Sequence, residues 1–128
     1  MTDERKAEIK SIADSVFDKD AEYVGRTGLD HVLFAKSLGL SVGESTKLKP
    51  KVLGFICAAE NVGAIGVSLN KSPSLKKGVV LYLVARYVLR NSDETLFFDS
   101  CIEGRSDEDA LYFVQCIYDN VVQAKNNR

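Results

Sequence analysis

The stretch KKGVVLYLVARYVL, residues 76–89, decides how this chain folds. Beyond Lys76 and Lys77 its one charge is Arg86. It is too long for an ordinary strand, and Pro73, between Ser72 and Ser74, suits the first turn of a helix. A helix is predicted from about Leu75 to Leu89. Because it is apolar nearly all round, its place is the centre of the core. The apolar run from Gly78 to Ala85 falls far short of the roughly 20 residues that span a bilayer.

The flanking segments supply the other layers. Ile9, Ile12, Ala13 and Val16 recur at helical spacing and predict an N-terminal helix within residues 1–20. A loop with Gly25 and Gly28 follows. Asp30 is placed to cap a second helix that Gly39 ends. Leu40 and Val42 predict a short strand, and 45–50 reads as a turn. VLGFICAAE (52–60) and GAIGVSLN (63–70) are two β-like runs joined through Asn61 and Val62, a predicted hairpin. LFF (96–98) is a further strand candidate. Ser106 opens the last helix, with Ala110, Phe113, Val114, Ile117, Val121 and Ala124 as its apolar stripe. SDED (106–109) reads as a capping box with Ser106 at the N-cap, and residues 122–128 as a frayed tail. The expected fold is α+β: a small antiparallel sheet of about three strands packed by helices around a central buried helix, in one domain spanning 1–128.

Composition narrows the function. The chain has 128 residues, 17 Lys and Arg against 18 Asp and Glu, and a formal net charge of -1. Such a balance sets up no global field for nucleic acid or an anionic membrane. The charged opening MTDERKAEIK has no apolar region of a secretory signal. Cys57, Cys101 and Cys116 form an odd set without CxxC spacing, which fits thiols in a reducing compartment, so a cytoplasmic protein is expected. Lys47, Lys49, Lys51, Lys71, Lys76 and Lys77 form a modest basic cluster, read as solvated surface.

The order and flanks of four segments carry a resemblance. KSLGLSV (36–42), GAIGVSLN (63–70), KKGVVLYLVARYVL (76–89) and DEDALYFVQCIY (107–118) together resemble the ImmA/IrrE family of small metallopeptidases. The family's frame is a helix and short strand, a small sheet, a helix bearing HExxH, and a last helix opening with acids. The resemblance implies a zincin-type fold and, as partner, a helix-turn-helix repressor that such proteins cleave or otherwise remove.

The HExxH positions fall on Tyr82, Leu83 and Arg86. Two histidines at i and i+4 would bind zinc, with the glutamate between them as general base. Arginine has no lone pair to offer, leucine cannot accept a proton, and a protonated tyrosine is a poor ligand. The third family ligand, an acid on the last helix, maps to Asp109 or Asp107. The resemblance therefore implies a degenerate member with no metal, no cofactor and no peptidase activity. The expected function is a protein-binding module of phage or mobile-element type. It would regulate a repressor without cutting it, with Arg86 paired to Asp109 or Asp107 where zinc would sit.

Blander readings stand beside this one. A lone arginine on a core helix snorkels to an edge, and acids in a first turn favour the helix dipole. An enzyme or toxin component using a Tyr82, Arg86 and Asp109 cluster is the alternative if those residues line an open cleft. A structural homo-oligomer is another, with Phe97, Phe98, Tyr112 and Tyr118 at its interface; core packing accounts for the same residues. His31, the single histidine, reads as a capping or surface residue. GAIG (63–66) lacks the Lys-Ser/Thr of a phosphate loop, so its glycines read as a bulge or close packing.

Overall fold

The computed structural model describes residues 1–91 and 93–127. These form four helices, a two-stranded ribbon and a four-stranded sheet.

Helix α1, Asp3–Val16, begins where Thr2 accepts a hydrogen bond from the Arg5 amide, with Asp3 and Glu4 complementing the dipole. Its buried side chains are Ile9 and Ala13. Strands β1 (Val24–Gly25) and β2 (Gly28–Leu29) form a tight antiparallel ribbon where the sequence predicts a loop. Two-residue strands leave no alternating pattern to detect. Helix α2, His31–Ser37, is capped by Asp30, whose carboxylate accepts from the Leu33 amide at 3.1 Å. Gly39 ends it at φ +83°; a Cβ there would lie 2.2 Å from the Asn61 carbonyl oxygen, so only glycine fits.

The main sheet comprises β3 (Leu40–Ser45), β4 (Val52–Ala59), β5 (Val62–Ser68) and β6 (Phe97–Ile102), in the order β3-β5-β4-β6. The β4–β5 hairpin turns on Glu60 and Asn61, with Asn61 at φ +62°, one residue earlier than its sequence suggested. The sheet departs from the expected antiparallel one of about three strands. It has four strands, and β3 runs parallel to β5. Parallel pairing is non-local, and alternation within a strand does not reveal its neighbour.

Helix α3, Pro73–Val88, starts at the Ser72 cap with Pro73 in its first turn and lies across one face of this sheet. Val80, Leu83 and Val84 are fully buried. Gly54 sets how closely helix and sheet approach, since a Cβ there would meet Val79 at 2.6 Å. Helix α4, Glu108–Asn126, covers α1 and α3 with Phe113, Cys116, Ile117 and Val121. It stays helical to Asn126, so the expected fraying of 122–128 does not extend over the described residues; Val121 and Ala124 anchor that last stretch. Its N-cap is Asp107, not Ser106: the Asp107 carboxylate accepts from the Ala110 amide at 3.0 Å. With Asp107 as the cap, Ser106 lies outside the helix and Asp109 is no longer three residues from the cap, so the box between Ser106 and Asp109 does not form.

The helices touching the sheet all lie on one side. Inward positions are buried: Leu40, Ile56, Ala58, Ile65, Val67, Phe97 and Cys101. The alternate row faces outward, with Ser41, Gly43 and Ser45 on β3 and Val62 and Ala64 on β5. Phe55 and Cys57 continue it on β4, and Phe98 and Ser100 on β6. No helix among the described residues is long and apolar enough to cross a membrane.

Candidate functional site

Arg86 sits on the last turn of α3, where the helix meets β6 and the start of α4. Its Nε donates to the Asp99 carboxylate at 2.7 Å, and its Nη1 donates to Asp107. Asp99 faces inward because it alternates with outward Phe98 and Ser100 along β6. Asp107 is held by its own capping bond to Ala110. One guanidinium therefore joins the core helix, the edge strand and the last helix. Its side chain keeps 38% of its exposure, so it lies at the rim, neither in bulk water nor sealed in the core. The Asp99 hydrogen bond is the main cause holding its pKa above the ordinary arginine value; partial burial opposes it.

Asp109, the residue first in line to meet Arg86, pairs elsewhere. It accepts from Arg5 Nε of α1 at 2.8 Å, and Arg5 also reaches Glu8 at 3.0 Å. Asp107 is the extended cap residue and Asp109 lies within the first turn, so the two carboxylates serve different neighbours. Asp99 and Arg5 were not singled out from sequence. Asp99 had a usable signal, an acid on the inward row between Phe97 and Cys101. Arg5 had none, being one of several charges on an amphipathic helix.

The three HExxH positions do not converge. Tyr82 stands one turn before Arg86 and is half-buried; burial pushes its hydroxyl pKa up, and nearby Arg86 pulls it down. Leu83 points elsewhere, fully buried beneath Gly54 of β4. A zinc ion of the kind the resemblance implies does not fit these residues. Arg86 is a cation already engaged, Leu83 faces the sheet, and Asp109 is bound to Arg5. Among the described residues, no three His, Cys, Asp or Glu side chains gather in a metal-holding arrangement.

A recess of about 240 Å³ opens beside this junction, lined by Arg5, Arg86, Arg90, Glu94, Asp107 and Asp109 among others. Its three guanidinium groups each have a protein acceptor. Arg90 donates to the Tyr87 carbonyl at 2.7 Å and stacks 3.9 Å above the Tyr87 ring. Tyr82 is not in the lining, so the cluster expected of an enzyme is divided between the recess and the helix interface. The chemistry available here is that of a neutralised ionic clasp.

The remaining candidates lie apart. His31 is the first residue of α2, partly buried, and that burial lowers its pKa, helped by Lys77. Cys101 and Cys116 are buried and Cys57 is exposed on the outer sheet face, so the thiols do not form one group. Of the aromatic residues suggested for an interface, Phe97 is buried, packing against Tyr87, while Phe98 is 67% exposed. Tyr112 and Tyr118 lie on α4, away from Phe98. Lys76 pairs with Glu44 at 3.0 Å, which removes one charge from the lysine cluster. No family model, curated protein or solved structure matches this chain.

Proposed function

We propose that this protein is a non-catalytic binding module with the frame of an ImmA/IrrE-like metallopeptidase. It binds a protein partner, a helix-turn-helix repressor or a relative of one, and regulates that partner without cleaving it. The observation that carries this reading is the Arg86 clasp. At the helix position where the family places its second zinc-binding histidine, a guanidinium bridges Asp99 and Asp107. A cation held by two carboxylates ties the helix to its neighbours and leaves no Lewis acid or base to activate water. The order helix, strand, hairpin, core helix and acid-opened last helix is the one the resemblance implies. Strand β6, inserted between the last two helices, supplies Asp99 and gives the clasp its second acid.

The test is affinity capture with the tagged protein in its native host, followed by reconstitution with the recovered partner. The expected result is a single helix-turn-helix regulator that binds stoichiometrically and keeps its full length during incubation. Cleavage of that regulator, or one zinc per chain in the purified protein, would overturn the reading.

A further inference from the structure

The outer face of the four-stranded sheet has no element packed on it among the described residues. In a chain that is 27% charged, the outward positions of its strands carry no charged side chain. Phe98 is 67% exposed, Val62 62% and Phe55 38%. Phe55 lies over Gly66, and the register sets Phe98 beside Cys57 and Cys57 beside Ala64. The face thus has relief: a raised ring at Phe98 next to a low lane of small side chains.

We infer that this face is a homodimer interface, with a second copy of the chain packed sheet to sheet. The inference does not depend on how α3 is read. Three properties select the occupant. First, any surface laid here must itself be uncharged, because a charge buried without a partner is very costly. The same face on a second copy meets that condition. Second, two sheets of the same twist pack face to face about 10 Å apart and roughly 30° from aligned. A two-fold arrangement then sets Phe98 of each copy over the other's lane at Ala64 and Cys57, the self-complementarity an isologous contact needs. Third, the area suffices. Four strands about 4.8 Å apart and about six residues long cover roughly 400 Å² in projection on each copy. With relief and rim, the total reaches about 1,000 Å², the lower bound for a specific interface.

Sedimentation of the purified full chain over a micromolar concentration series tests this. The expected species has twice the 14.1 kDa chain mass. Phe98→Glu weakens association by about 30-fold or more, as loss of an anchoring aromatic contact does. Ala64→Arg does the same from the opposite side of the lane. Leu111→Glu, at an exposed site on α4, leaves the dimer intact. Cys57 is the exposed thiol of the three, so its alkylation slows as wild-type concentration rises and stays fast in both sheet variants. Circular dichroism and thermal melts of the variants confirm that each is folded. A wild-type monomer across the series overturns the inference, as does a dimer that survives both sheet substitutions or leaves Cys57 alkylation independent of concentration. Protection of Cys57 only when another protein is added would also overturn it, and would assign the face to that protein.

Discussion

The two faces of the main sheet are built from alternate residues of the same strands, yet they handle their contents differently. The inner row admits two acids and gives each a cation from α3: Asp99 meets Arg86, and Glu44, at the end of β3, meets Lys76. The outer face admits no charge and leaves Phe98 and Val62 largely uncovered. Inside, the acids are kept with their partners in place; outside, Phe98 and Val62 have no comparable cover among the described residues. The inner face is complete as it stands. The outer face is an incomplete interface, and an interaction that completes it belongs there.

Substitutions that treat the faces unequally sharpen that difference. Leu83→Ala removes a fully buried side chain beneath Gly54 and is expected to cost about 3 kcal/mol in urea unfolding. A loss below about 1 kcal/mol would show that α3 does not pack as described. At the junction, Asp107→Ala loses both the α4 cap and one Arg86 partner. Its expected cost is about 2 kcal/mol, against under about 1 kcal/mol for Asp109→Ala, whose half-exposed pair with Arg5 is screened by solvent. Equal costs in parallel melts would contradict this division of labour.

A smaller effect is expected from pH. His31 is partly buried and faces Lys77, so its folded pKa lies below the unfolded value of about 6.5. The unfolded chain then binds the proton more readily, and stability falls as pH drops from neutrality through that range. His31→Gln should flatten this dependence between pH 7.5 and 5.5 without changing melts at pH 8. Smallest of all is Phe98→Glu measured on the monomer. An exposed outer-face position is expected to shift unfolding by no more than about 0.5 kcal/mol. A large loss would mean that Phe98 supports the chain's own fold.

Much of this architecture could be read in the sequence, for physical reasons. Residues 76–89 carry a helix signal that tertiary context has no cause to override, and the structure places that helix centrally. The β4–β5 hairpin was legible from its branched residues and Asn61, which takes the left-handed conformation its turn needs. Asp30 and Gly39 were correctly read as the ends of α2. What escaped was non-local. Nothing in LSVGES announces that β3 lies parallel to β5, and nothing near Asp109 points to Arg5, 104 residues away. The site was half legible: an acid for Arg86 was expected from 107–109, and Asp107 provides it. The second acid came from β6, one residue beyond the LFF stretch that the sequence marks as a strand.

The parallel pairing of β3 with β5 has a kinetic consequence. The β4–β5 hairpin closes through a two-residue turn, a local event on the microsecond scale. Strand β3 must wait for that hairpin, because the partner edge it needs does not exist before β5 is in place. Strand β6 must be brought to β4 across the whole of α3. Folding is therefore paced by two long-range closures onto a preformed ribbon. In native-state hydrogen exchange the amides of β4 and β5 should be the last to be released, and the outer edges of β3 and β6 the first.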